Sequence, residues 1–527
     1  MMKSMTLAAS LALAALVSLP RTADAQLNST VSADIGLSQL RAANPGLTEG
    51  VGIKAHLVEA FVGGGINYIP DPTHADFTNN LIAPLGVPAG MIASDLYSGH
   101  ALSSARHFFG STGVARDLGT GGLSIDAYAA ALSSLEPPQP SVDWLNTILF
   151  GGTNGDPNIA AFDRSTVTSH SYVFLSDPSG QLPSFMQRLD YLINESDTTT
   201  VVGSANSGSI PPGWAPSYNA ITVGLSRGTH GDGLTTTYGS GRVAVDVVAP
   251  EGITSSATPV VAGAVAILQD AADGSDAARS EVIRATILAG ATKDAGDIDG
   301  TWTRTETQPL DATYGAGELN IFNSYNIQQA GDFDGGSTAS SAPVLATPEG
   351  WDYEEDLATN GERFYEFPVG QGQVIENLSI VLAWNLNVVD TAGSPNSFVP
   401  NDLSQQLADL NLELTDSAGN VVDQSISSVD NVEHIFLPET SPLFEGSYTL
   451  RVSNSDFLAT DFGLAWQGEL STCMSGDIDL NGTVDFLDIS PFIERLTADG
   501  YQKEADIDQN GVVDFLDISP FIALLSQ

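Results

Sequence analysis

The chain is poor in cysteine and in basic residues, and these two shortages exclude disulfide bonds and some classes of partner. Cys473 is the only cysteine, so no disulfide can form within the chain, and the fold has to be held by core packing and by metal. Lys and Arg number 18 against 64 Asp and Glu, which gives a formal net charge of -46. That charge repels phosphate backbones and anionic lipid surfaces, so nucleic acid is excluded as a partner.

Long apolar runs are also scarce, and the one near the start has the features of an export signal. A basic residue precedes the run LAASLALAALVSL, and Ala23-Asp24-Ala25 offers a small-x-small cleavage site. We therefore expect residues 1–25 to be a signal peptide and the mature protein to be secreted or attached to the cell surface. Later stretches fall short of the ~18 consecutive apolar residues that a membrane-spanning helix needs, so no span is predicted.

Three patterns of hydrophobicity follow one another along the mature chain. Over 26–327, strand-like runs such as GVGIKAHLVEAF and TTTVVGSANSGS alternate with helical spacing, which predicts an α/β domain with a mostly parallel sheet flanked by helices. A passage rich in Gly, Ser, Ala and Pro over 328–348 predicts a linker. Residues 349–470 form short alternating runs between turn residues, which is typical of an all-β sandwich.

The final segment, 474–527, contains a clear internal repeat. DIDLNGTVDFLDISPFIERL recurs as DIDQNGVVDFLDISPFIALL, and each copy has oxygen-bearing side chains at loop positions 1, 3 and 5, glycine at 6 and Asp at 12. This is the spacing of a calcium-binding EF-hand loop, in which position 7 binds through its backbone carbonyl. The predicted ligands of two calcium ions are Asp477, Asp479, Asn481, Thr483 and Asp488 in the first copy and Asp506, Asp508, Asn510, Val512 and Asp517 in the second.

A run of small residues opens the most apolar helical segment of the chain. TSSATPVVAGAVAILQDAA begins at Thr254, which puts Ser255 in the first helical turn. Taken alone, these residues allow two roles for Ser255. Its hydroxyl could cap the helix, or it could act as a nucleophile where the helix dipole favours developing negative charge.

The same run resembles the serine signature of the subtilisin-like proteases, usually GTSMATPHVAGAAAL, with Ser, Ala-Thr-Pro and Val-Ala-Gly in register. The resemblance implies a serine endopeptidase that hydrolyses protein or peptide substrates through an acyl-enzyme on Ser255. Three neighbours depart from the family: Ile253 replaces the usual glycine, Ser256 the usual methionine, and Val260 stands where histidine is common.

Further residues match other elements of the family pattern. His100 in YSGHALSSA resembles the histidine of HGTHVAG and is implied to be the general base; His107 and His230 are the alternatives, although His230 lies outside the family's order of acid, histidine and serine. Asn206 in VVGSANSGS resembles the asparagine of AAAGNEG, whose amide helps to hold the oxyanion. Ser171 in VTSHSYVF fits the SLG segment that binds an extended substrate.

Glu59 is the departure with the largest consequence. In AHLVEAF it stands where the family has the aspartate of VAVIDTG, the carboxylate that orients the imidazole. The extra methylene shifts that carboxylate by about one carbon–carbon bond, and misplacement on this scale costs about a hundredfold in rate. The connection EGIT before Ser255 is also short, where relatives carry a substrate-contacting hairpin. Both departures favour the alternative function, a catalytically impaired pseudoprotease acting as an extracellular binding or scaffold protein.

The remaining segments have resemblances of their own. The sandwich resembles the C-terminal β-barrel or jelly-roll domains of some secreted subtilases, and the repeats are similar to type I dockerin modules, with DxDxNGxVDxxD matched in both copies. The second resemblance implies a cohesin-like partner and calcium that folds the docking module.

Overall fold

The computed structural model describes residues 27–61, 67–130, 142–151, 159–174, 182–345, 347–391, 403–497 and 501–526. The predicted signal peptide lies outside the described residues. Within them, no helix combines the length and the apolarity needed to cross a membrane. The helices are α1 (Ser29–Asp34), α2 (Leu37–Ala43), α3 (Gly99–Phe108), α4 (Leu182–Ser196), α5 (Thr254–Ala272), α6 (Ser280–Ala289), α7 (Ile321–Ala330), α8 (Ile489–Thr497) and α9 (Ile518–Leu524).

A seven-stranded sheet forms the first part of the fold, with the strand order β2-β3-β1-β4-β5-β6-β7. All of its strand pairs are parallel. Its central strands are buried on both faces, as expected where helices cover a parallel sheet. The predicted α/β class is therefore confirmed. The strands are β1 (Lys54–Glu59), β2 (Ile82–Pro84), β3 (Ile125–Ala129), β4 (Thr166–His170), β5 (Thr199–Gly203), β6 (Ile221–Leu225) and β7 (Val247–Ala249).

Helix α5 packs across this sheet and is buried on all sides. Its faces carry small and aliphatic side chains, so both the sheet and α3 can approach it closely. A Cβ at Gly263 would lie 2.5 Å from Val114 Cβ in the segment after α3. The glycine therefore sets the distance between α5 and the segment that follows α3.

An antiparallel sandwich follows, which confirms the second part of the predicted fold. Its two four-stranded sheets have the orders β15-β10-β17-β8 and β14-β13-β16-β9, and β11 pairs with β12. Trp384, Trp466 and Tyr365 are fully buried between the sheets. The strands are β8 (Glu349–Leu357), β9 (Glu362–Val369), β10 (Gln373–Ala383), β11 (Asn387–Asp390), β12 (Leu403–Gln406), β13 (Leu410–Thr415), β14 (Val421–Ser425), β15 (Val432–Leu437), β16 (Gly446–Asn454) and β17 (Thr460–Thr472).

The predicted linker, 328–348, packs against its neighbours and is not a free tether. Its first residues complete α7, where the Gln328 side-chain amide donates a hydrogen bond of 2.9 Å to the Leu268 carbonyl. Further along, Asp332 and Val344 form isolated bridges with strands β8 and β9. Composition alone predicts a linker here because Gly, Ser and Pro favour irregular backbone, whether or not that backbone is packed.

The α/β body and the sandwich share one hydrophobic core. Val282 and Ile283 of α6 belong to the same buried cluster as Ala383 of β10. A Cβ at Gly463 in β17 would lie 2.5 Å from the Glu281 carbonyl carbon, so the sheet rests directly on the α6 backbone. Contact this close is typical of a domain interior and differs from the polar interface of loosely tethered domains.

Glu281 is a buried carboxyl group in this shared core. The Asn385 side-chain amide donates to its Oε1 at 2.7 Å, and the Ser280 hydroxyl donates to its Oε2 at 3.0 Å. Burial, reinforced by the nearby Asp197 carboxylate, raises the pKa of Glu281 to about 8. The side chain is therefore protonated in the folded protein at pH values where the unfolded chain has lost that proton.

This difference predicts a stability that declines as pH rises. Because the folded state binds the proton more tightly, Glu281 lowers the free energy of unfolding progressively from about pH 4.5 to about pH 8. The Glu281→Gln variant keeps the acceptor oxygen but does not titrate, so its melting temperature should fall less than that of the wild type over this range. Thermal unfolding of both proteins, with the exposed Glu445→Gln as control, measures the difference. Parallel curves for wild type and Glu281→Gln would contradict the prediction.

Candidate active site

The five residues implied in catalysis and substrate binding lie at one edge of the parallel sheet. Glu59 ends β1, and Ser171 directly follows β4. Asn206 lies three residues after β5, while His100 and Ser255 are the second residues of α3 and α5. Because the carboxyl ends of parallel strands meet at one edge, this placement follows from the topology.

Glu59 and His100 are in direct contact. Glu59 Oε2 lies 2.6 Å from His100 Nδ1, and the Glu59 side chain is only 1% exposed. Since an ionised carboxylate only accepts hydrogen bonds, the ring donates from Nδ1 and directs Nε2 to the opposite side. The longer glutamate side chain thus reaches the imidazole.

Asn206 is fixed to the start of α5 through its side-chain oxygen. Its Oδ1 accepts hydrogen bonds from the Thr254 backbone amide at 2.8 Å and from the Thr254 hydroxyl at 2.9 Å. These bonds satisfy one of the amides that a helix leaves unpaired at its first turn. With the oxygen engaged, the amide NH₂ of Asn206 remains as a donor next to Ser255.

A small open cleft lies beside Ser255. The Ser171 side chain is 1% exposed, and its hydroxyl has no hydrogen-bond partner among the described residues. Three chain segments, each at the carboxyl edge, form the walls. The lining residues are Ser171, Tyr172, Val173, Gly203, Ser204, Ala205, Asn206, Thr254 and Ser255.

Aromatic side chains form a layer next to this cleft. Trp214 Nε1 donates to the Tyr172 hydroxyl at 2.9 Å, and the His170 ring lies edge-on to Trp144 with centroids 5.0 Å apart. Burial lowers the pKa of His170 to about 3, so this ring stays neutral. Sequence reasoning missed the layer, although the closely spaced His170 and Tyr172 at a strand end were a usable signal.

The alternative histidines have other partners. His230 accepts from the Leu225 backbone amide at Nδ1, at 3.3 Å, and donates from Nε2 to the Thr313 carbonyl at 2.9 Å. Burial lowers the pKa of His230, which keeps it neutral in this structural position. His107 contacts Glu251 instead of Glu59. Of the three candidates, His100 is the histidine in contact with the predicted orienting carboxylate.

The two predicted calcium loops have matching geometry. Asp477, Asp479 and Asp488 place carboxylate oxygens within 4.8 Å of one another, as do their counterparts Asp506, Asp508 and Asp517. The position-6 glycines, Gly482 and Gly511, both have φ of 85°, which permits the sharp turn. The clustered hard oxygen ligands therefore fit a calcium ion.

No protein-family model and no curated protein sequence matches this chain. Among solved structures, MycP1 with its N-terminal propeptide removed is 14% identical, with a TM-score of 0.35 and coverage of 55% of this chain and 96% of MycP1. Pseudomonas sedolisin, a serine-carboxyl proteinase complexed with two molecules of pseudo-iodotyrostatin, is 16% identical, with a TM-score of 0.36 and coverage of 59% and 99%. Values this low assign neither a family nor an activity.

The close approach of β5 to α5 can be tested at Gly203. A Cβ at this position would lie 2.6 Å from Thr258 Oγ1, so Gly203→Ala should lower the free energy of unfolding by about 1–3 kcal/mol. The same substitution should cost less in a Thr258→Ala background, where the obstructing atom is gone. Chemical denaturation of the four proteins measures the coupling, and Gly46→Ala, with open space around it, is the control. Equal costs in both backgrounds would contradict the proposed contact.

Proposed function

We propose that this protein is a secreted serine endopeptidase that hydrolyses peptide bonds through an acyl-enzyme on Ser255. The observation that carries the proposal is the 2.6 Å contact between Glu59 and His100 at the sheet edge where Ser255 and Asn206 line one cleft. The arrangement supplies a nucleophile, a base and an oriented carboxylate, which are the three parts of a hydrolytic triad.

In the first half of the reaction, Ser255 Oγ attacks the peptide carbonyl carbon while His100 Nε2 accepts the hydroxyl proton. Glu59 holds the Nδ1–H and stabilises the imidazolium that forms. The Asn206 amide and the Ser255 backbone N–H, which belongs to the first turn of α5, bind the oxyanion. An extended substrate would lie along the segment that begins at Ser171.

Collapse of the tetrahedral intermediate breaks the C–N bond. His100 gives its proton to the leaving amine, and Ser255 is left as an ester. Water then attacks the ester carbonyl, with His100 as the base, which releases the acid product and restores the serine hydroxyl.

The geometry favours an active enzyme over a scaffold that has lost catalysis. Burying a carboxylate is destabilising unless the carboxylate is paired, and the contact with His100 offsets this penalty for Glu59.

Substitutions of Glu59 test the proposed triad. Glu59→Gln should reduce kcat by about 10⁴-fold, because an amide neither fixes the imidazole tautomer nor stabilises the imidazolium. Glu59→Asp should reduce it by about a hundredfold, because the shorter side chain withdraws the carboxylate from a contact that is already optimal. Both effects are measured with an internally quenched peptide mixture, with Ser255→Ala as the blank. Turnover by Glu59→Gln at the wild-type rate would remove Glu59 from the mechanism.

We further propose that calcium folds residues 474–527 into a docking module. The convergence of carboxylates in both loops supports calcium binding. The docking role is supported by one exposed phenylalanine at the equivalent position of each copy. Phe486 and Phe515 are 78% and 80% exposed. The module contacts the sandwich through Lys503, whose Nζ lies 2.8 Å from Glu376 Oε2. A cohesin-like partner for this module stays a prediction.

Calcium removal should therefore act locally. In a Ser255→Ala background, which prevents self-cleavage, chelation should expose the chain after Cys473 to added protease while the circular dichroism of the sheet domains stays largely unchanged. Calorimetry should find two calcium ions per chain, and Asp488→Asn should remove one of them. Global melting on chelation, or no calcium binding by the folded protein, would contradict the assignment.

A further inference from the structure

A second pair of a histidine and a carboxylate lies close to the proposed active site. His107 Nε2 is 3.4 Å from Glu251 Oε1, and the two side chains are 2% and 11% exposed. His107 follows His100 by seven residues on α3, so both side chains project from about the same face of the helix, about 10 Å apart along its axis. Glu251 lies in the short connection between β7 and α5, four residues before Ser255.

The hydrogen bonds of His107 restrict where its proton can be. His107 Nδ1 lies 2.7 Å from the Ser103 carbonyl oxygen, which can only accept, so Nδ1 carries a hydrogen. In a neutral ring, Nε2 would then direct a lone pair at the Glu251 oxygen. The contact is attractive only when the pair holds one more proton, either on Nε2 or on the carboxyl group.

The neighbouring charged side chains are paired with other residues and do not take part in the contact between His107 and Glu251. Among the described residues, Glu251 Oε1 has no hydrogen-bond partner, and Glu251 is the acidic group within ion-pair distance of His107. The adjacent Arg106 pairs with Asp76, with its Nε 2.5 Å from Asp76 Oδ2. From the segment after α3, Arg116 pairs with Glu49 at 3.0 Å.

We propose that His107 and Glu251 form a clasp that positions the connection before Ser255 against the helix that carries His100. The inference rests on the proposed peptidase function and concerns the positioning of residues at that same site. His107 and Glu251 are positioning residues, since they act through the placement of Ser255 and His100. Without this contact the connection is free to shift Ser255 relative to His100, and turnover falls.

The Glu251→Gln variant separates the clasp from a purely structural contact. Glutamine has nearly the same shape, and its amide N–H can donate to a neutral His107 Nε2, so the clasp no longer needs the extra proton. We therefore expect this variant to keep the wild-type kcat and KM. Glu251→Ala should lose about tenfold to a hundredfold in kcat across the pH range with little change in KM. The exposed Glu195→Gln is the matched control and should follow the wild type.

The outcomes distinguish the clasp from the function on which it rests. Turnover by Glu251→Ala at the wild-type kcat, or by Glu251→Gln at a kcat as low as that of Glu251→Ala, overturns the clasp and leaves the peptidase in place. Absence of turnover by the folded wild type overturns both. Circular dichroism of each variant confirms that the comparison is made between folded proteins.

Discussion

The close approach of α5 to the parallel sheet is the constraint on which the rest of the site depends. Because Gly203 at the end of β5 and Gly263 within α5 have no side chain, α5 can lie close to the sheet and to the segment that follows α3. The start of α5 is thereby brought to the strand ends, where Asn206 binds the first amide of the helix. Any change that moved α5 outward would separate Ser255 from the other groups at this edge.

Electrostatic interactions at the same edge of the sheet favour proton transfer by His100. Glu59 is buried and paired with His100, and a charge in that setting interacts more strongly with its partner than it would in water. Neighbouring His170 is neutral because burial lowers its pKa to about 3, so it adds no positive charge that would compete with His100 for the carboxylate.

Much of the fold could be predicted from the sequence because the rules involved are local. Alternating strand-like and helical runs predict a parallel sheet, and a parallel sheet gathers the residues after its strands, which places Glu59, Ser171 and Asn206 together. Whether Glu59 reached His100 could not be predicted, since the answer depends on the distance between β1 and α3. The same holds for His107 and Glu251, and for the shared core of α6 and the sandwich. Each joins segments far apart in the chain, where spacing carries no signal.

The most direct measurement of the central claim is covalent capture of Ser255 by a fluorophosphonate, located by mass spectrometry of the digested protein. The account predicts an adduct on the peptide that contains Ser255. Labelling should be lost in Ser255→Ala and strongly slowed in His100→Ala, because the hydroxyl is activated only with its base in place. A folded wild-type protein that takes up no label, or that is labelled equally after Ser255→Ala, would contradict the account.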